Sequence, residues 1–181
     1  MSFLFGLFRF LTWGNIIVAG FFLLFVVMAL LVAPSPLEVI TSMFFLGSVL
    51  YHNILCTQLQ RTLSNPEVPL PPSLPRVILI TGIIAFIYAI LVAIQMIGLG
   101  RLSDEEMIRL MKVNNAQNTQ GITVEELASA VRKAVLVLGS IHALAIAVNC
   151  ELSRIFFNRW RKDQEPAEED SFFDINNPDN P

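Results

Sequence analysis

Four long stretches without a charged side chain set the limits on this fold: residues 10–37, 39–60, 77–100 and 134–150. Each is rich in Leu, Ile, Val, Phe and Ala. About 20 consecutive apolar residues let a helix cross the hydrocarbon core of a bilayer. A soluble domain of 181 residues could not hide so much apolar surface. Composition points the same way: only 15% of the residues are charged, against about 25% in ordinary soluble domains. The pattern predicts an all-α, polytopic transmembrane four-helix bundle. Its spans fall at about 13–32, 37–60, 77–99 and 131–157, with a short interfacial helix in the 100–122 connection.

The first run is too long for a signal-peptide core, which usually holds about 7–15 residues. Leu31-Val32-Ala33 is also a poor cleavage site, so the run reads as a retained span. Ahead of it, Phe3, Phe5, Phe8, Phe10, Arg9 and Trp13 suit a membrane–water interface. Ala33-Pro34-Ser35-Pro36 turns the chain. Ser35, Pro36 and Glu38 then form a helix start, with Pro at the first helical position and Glu38 closing a capping box.

Residues 64–76 hold five prolines, which fix φ and remove backbone donors. They predict a stiff connector, and their PxxP spacing offers a weaker second use as a docking motif. In the third span, Gly82, Ala85, Ala89 and Ala93 make a small-residue stripe, and Gly139, Ala143 and Ala147 make another in the fourth. Such stripes let helices approach closely. Ser103 with Glu106, and Thr123 with Glu126, are two further capping boxes. Met107, Leu110 and Met111 give the short helix an apolar side. Arg132 and Lys133, at the start of the fourth span, can snorkel to headgroups. Residues 163–181 are acidic and Asn/Pro-rich and predict a disordered tail. Ser171-Phe-Phe-Asp-Ile175 is an apolar island within it.

Four spans put both termini on one side. With the termini in the cytoplasm, Arg9, Arg61, Arg76, Arg154, Arg159, Arg161 and Lys162 lie inside. Arg101, Arg109, Lys112, Arg132 and Lys133 lie outside. The dense cluster after the fourth span favours this orientation.

Polar side chains inside spans face the bundle interior or water. Ser48, His52 and Cys56 recur every four residues, so they share one face of the second span. His142, Asn149 and Cys150 lie near one face of the fourth, and Asn53 and Gln95 complete the set. The favoured expectation is interhelical hydrogen bonding by Ser48, Asn53, Cys56, Gln95, Asn149 and Cys150, with no cofactor. An alternative is haem b held between His52 and His142, since two spans each offering one imidazole suit such a group. With Cys56 and Cys150 at equal depth, the two imidazoles would differ in depth by about 6 Å. A metal held by His52, Cys56 and Cys150 is a weaker alternative, because no CxxC or HxxxH pair supports it. Glu151 and Arg154, three residues apart, form an ion pair on one helix face.

No HExxH, GxSxG, P-loop or GxGxxG is present. No acid sits mid-span, and no inverted repeat is visible, so the usual transporter design is unsupported. The expectation is a non-enzymatic accessory or scaffolding subunit of a membrane complex, with the bilayer, other membrane subunits or a second copy as partners and no nucleic acid. The alternatives are a haem- or metal-bearing electron-transfer protein, and a small transporter or channel lined by His52, Asn53, Gln95, His142 and Asn149.

Overall fold

The computed structural model describes residues 3–29, 36–113 and 123–164. Among the described residues there are five α-helices and no strand. They are α1 (Phe3–Ala29), α2 (Pro36–Ser64), α3 (Leu74–Arg101), α4 (Asp104–Val113) and α5 (Val124–Gln164). Four of them, all but α4, are long and apolar enough to cross a membrane. At 1.5 Å per residue, the 41 residues of α5 extend about 60 Å, twice the thickness of a bilayer core.

The helix boundaries follow local chemistry. Pro36 opens α2, where its missing N–H costs nothing. Ser35 lies outside the described residues, as does the acidic tail from residue 165 onward, including the 171–175 island. Pro75 sits in the first turn of α3. Between α2 and α3, the proline-rich connector folds back through two turns, Val68 N–H to Asn65 O and Leu74 N–H to Pro71 O. Both predicted capping boxes at α4 and α5 close. Glu106 N–H donates to Ser103 Oγ at 3.2 Å, and Ser103 N–H donates to Glu106 at 2.8 Å. Thr123 and Glu126 exchange the same two bonds at 3.2 Å each. The backbone N–H of Ser103 holds the Glu106 carboxyl below its ordinary pKa.

The largest difference from the expected boundaries is at α1; α2 also runs on to Ser64 and α3 starts at Leu74, a few residues into the expected connector. The first helix begins at Phe3, not near Trp13. Phe5 and Phe8 are buried, and both rings pack on Phe156 of α5, with centroids 5.5 and 5.3 Å away. Aromatic burial therefore extends the helix through a segment that reads as interfacial. Phe3, Phe10 and Trp13 point outward.

The four long helices form a ring in the order α1, α2, α3, α5, each antiparallel to its neighbours. α1 and α3 do not meet, and α2 and α5 approach across the short diagonal. α3 and α5 share a long seam of small residues, with Ala85, Ala89 and Ala143 buried in it. A Cβ on Gly139 would overlap the Met96 side chain, so the glycine makes room for it. Two apolar clusters fill the interior. One holds Phe5, Phe8, Leu55, Leu59, Leu74, Ile78, Leu152 and Phe156 toward the start of α1 and the end of α5, and the other Ala19, Val49, Ala85, Ala89 and Ile146 deeper in the bundle. The outer faces carry exposed Ile17, Phe21, Leu24, Ile83, Ile94, Leu138 and Leu144.

α4 lies against the start of α5, with Met107 buried beneath it. Arg132 does not reach outward as its position suggests. It pairs with Asp104 at 2.7 Å and donates to the Gly100 carbonyl at 2.9 Å. One guanidinium thereby caps the end of α3 and anchors the start of α4.

Candidate functional site

The bundle interior is crossed by a layer of polar side chains from all four long helices. Asn149, fully buried on α5, is at its centre. Asn149 Nδ2 donates to Asn53 Oδ1 of α2 at 2.9 Å across the short diagonal. Thr12 Oγ1 of α1 lies 3.1 Å from Asn149 Oδ1 and 2.7 Å from the Phe8 carbonyl, sharing its single proton between them. Gln60 Nε2 of α2 donates to Thr12 Oγ1 at 2.8 Å. Asn53 Nδ2 returns to the Val49 carbonyl at 2.7 Å. Asn15 Nδ2 reaches the Ala145 carbonyl of α5 at 3.4 Å. Unpaired, each of these groups would be costly to bury; here each has a partner.

His52 forms a second set beside this one. Its Nδ1 lies 3.3 Å from Thr81 Oγ1 of α3. Its Nε2 lies 3.4 Å from Ser153 Oγ of α5 and 3.5 Å from Cys56 Sγ one turn along its own helix. Thr81 Oγ1 lies 2.8 Å from the Val77 carbonyl, and Ser153 Oγ lies 2.7 Å from the Cys150 carbonyl. With their protons directed there, both hydroxyls present lone pairs to the imidazole, and whichever ring nitrogen carries the proton has an acceptor. Gly82 makes the room: a Cβ there would stand 3.0 Å from His52 Cε1.

His142 is elsewhere. Its ring sits between Phe22 and Tyr88, with centroids 5.8 and 6.1 Å away, and its buried Nε2 has no hydrogen-bond partner among the described residues. The Asn53–Asn149 pair sets the register of the parallel helices α2 and α5, so His52 is level with residue 148. His142 lies six residues away, about 9 Å along the axis. The His52 ring also leans the opposite way, toward Ser153. Two axial ligands must face one iron from opposite sides, a few ångströms apart. This pair does not, so the haem-bridging arrangement does not fit.

The two cysteines lie at similar depth, about 3 Å apart along the axis. The same register places Cys56 opposite residue 152, two residues past Cys150. Both are buried thiols. Among the described residues, no three His, Cys, Asp or Glu side chains converge as a metal would require. Ser48 bonds to the Phe44 carbonyl of its own helix at 2.8 Å rather than across helices. Gln95 is exposed on the outside of α3, so it neither joins the interior network nor lines a passage. Glu151 and Arg154 approach to 3.8 Å, both largely exposed, a geometry that contributes little.

Sequence reading missed Thr12, Asn15, Gln60, Thr81 and Ser153. Thr12 and Asn15 fall on one face, three residues apart, but sit where a first span starting near residue 13 has its edge. Gln60 recurs with Asn53 and Cys56 at spacings of three and four, a signal that was present in the second span.

The class these features define is an all-helical chain with four helices suited to membrane spanning and a hydrogen-bonded polar layer inside. Comparison with protein-family models, characterised proteins and solved structures returns no match for this chain.

Proposed function

We propose that the protein is a four-span integral membrane protein that acts as a non-enzymatic accessory or scaffolding subunit, with both termini in the cytoplasm. The observation that carries the reading is how the interior polar groups are used. Thr12, Gln60, Asn149 and Asn53 bond to one another or to backbone, and His52 has partners from three helices. Interior chemistry of this kind holds helices together; among the described residues the one buried side-chain nitrogen left without a partner is Nε2 of His142, set between Phe22 and Tyr88 with no acid or thiol gathered around it as a ligand set. Gln95 adds to it. An amide exposed among Ile94, Ile97 and Leu91 on an outer helix face is poorly suited to lipid. A partner helix offering a donor or acceptor would satisfy it.

Sidedness rests on the basic end of α5, and on seven basic residues on its side of the bundle against five on the other. Extraction in mild detergent, with mass measured by light scattering corrected for detergent, tests the subunit role. The expected particle is heavier than one 20.2 kDa chain, and Gln95→Leu should shift it toward the single chain. A native preparation that is always one copy alone would refute the role.

A further inference from the structure

We propose that the outer groove between α3 and the C-terminal half of α5 is a binding site for an anionic phospholipid of the surrounding bilayer. The groove has a volume of about 870 Å³ and two chemically distinct ends. Arg76 at the start of α3 and Arg161 near the end of α5 rim one end, while Arg154 lies seven residues, about 10 Å, further in and pairs with Glu151. Leu79, Ile83 and Phe86 form the floor, each about half exposed. From Arg76 to Phe86 is ten residues, about 15 Å of helix and half of the ~30 Å hydrocarbon core. The groove is therefore one leaflet long. Its occupant carries negative charge at the arginine end and an aliphatic chain running inward from it. Arginine pairs with phosphate through two parallel N–H bonds, which fits a phosphodiester headgroup. Under the proposed sidedness the rim faces the cytoplasmic leaflet, where anionic lipids concentrate. Beyond Phe86 the seam continues as a groove past Ala89, Ala93 and Ile97 in which Ser140 is the one polar side chain, so the tail meets no charged stop there.

The site rests on the membrane reading above, and one experiment separates the two. The purified protein is reconstituted into phosphatidylcholine vesicles holding a trace of spin-labelled phosphatidylglycerol or spin-labelled phosphatidylcholine. The immobilised fraction of each label is read by electron paramagnetic resonance. Phosphatidylglycerol should be preferred, and the preference should fall about fivefold for each rim arginine neutralised. Arg76→Gln with Arg161→Gln should abolish most of it, whereas Arg101→Gln, at the far end of α3, should leave it intact. Ile83→Trp fills the floor without touching a charge and should also lower immobilised phosphatidylglycerol. All four positions are exposed, so these variants should keep the helical circular dichroism of the native protein. Equal immobilisation of the two labels, or a preference unchanged by either the double variant or Ile83→Trp, overturns the site. Displacement of the label by inorganic phosphate would also overturn it, since that marks a free-anion site. Protein that fails to float with the vesicles sinks the membrane reading as well, whereas protein that floats without preference sinks only this site.

Discussion

Asn149 is the residue whose loss the structure makes most informative. Asn149→Ala deletes a bond to Asn53 at 2.9 Å and a contact with Thr12 at 3.1 Å. Neither partner is wholly orphaned. Asn53 keeps its bond to the Val49 carbonyl, and Thr12 keeps Phe8 and Gln60. Interhelical hydrogen bonds within membranes average about 0.6 kcal/mol and reach about 1.7. Two such bonds give about 1–3 kcal/mol, but truncation also leaves a small void, which confounds the single variant. A double-mutant cycle removes that confusion. Asn53→Ala, Asn149→Ala and the pair are unfolded by steric trapping in bicelles, and the coupling energy is taken from the four stabilities. The expected coupling is about 0.6–1.7 kcal/mol, within the range for one direct interhelical bond. Thr41, exposed and bonded only to its own helix at Leu37, supplies a control, and Thr41→Ala with Asn149→Ala should show no coupling. A coupling indistinguishable from zero for the asparagine pair would refute the view that this bond joins α2 to α5.

Other outcomes follow from the same geometry. Gly82→Ala should cost about 1–3 kcal/mol by pushing the His52 ring off Thr81 and Ser153, while Gly98→Ala, with open space around it, should be neutral or slightly stabilising; thermal unfolding in detergent compares them. Arg132→Met should release α4, with an expected loss of about 1 kcal/mol once the exposed side of the Asp104 pair is discounted, seen as faster amide exchange over residues 104–113. Because Glu106 has a folded-state pKa below its unfolded one, its contribution to the α4 cap is present at neutral pH and is lost as pH falls through the folded value. Amide exchange at Ser103, whose N–H the Glu106 carboxylate accepts, should therefore quicken in acid beyond the intrinsic trend, and Glu106→Gln should remove that extra dependence.

The spans and caps were legible because they rest on local chemistry. Charge-free length, Pro36 at a helix start, and the Ser103 and Thr123 boxes all act within a turn or two of chain, whereas Pro75, read with the connector, stands in the first turn of α3. What the sequence hid depends on rotation and register between helices. His52 and His142 look like a pair because each is a lone imidazole in a span, yet only interhelical packing sets their relative depth. Ser48, His52 and Cys56 share a face by spacing, but Ser48 bonds to the Phe44 carbonyl of its own helix. Thr12 and Gln60 were hidden for another reason. They lie near span edges, where a polar residue is ordinary and draws no attention.

The two kinds of helix contact divide the labour of specifying this bundle. Much of the α3–α5 seam is built of small residues, Ala85 and Ala89 on one side and Gly139, Ala143 and Ala147 on the other. Small residues repeating every three or four positions pack almost as well after a slide of one turn, so along this stretch only Met96, seated over Gly139, marks the register. Hydrogen bonds behave differently. A one-turn slide of α5 is about 5.4 Å, which would part Asn149 from Asn53 and Thr12, and Ser153 from His52, leaving several buried polar groups unpaired at once. A single buried polar residue is known to fix register in coiled coils at some cost in stability, and here the polar layer draws on all four long helices. Replacing Asn53 and Asn149 together by Leu should therefore do more to uniqueness than to stability. The variant should stay helical and inserted, while disulfide trapping between cysteines placed at residues 79 and 154 should change from one register to several. Retention of one register would assign that role to the aromatic contacts of Phe5 and Phe8 with Phe156 instead.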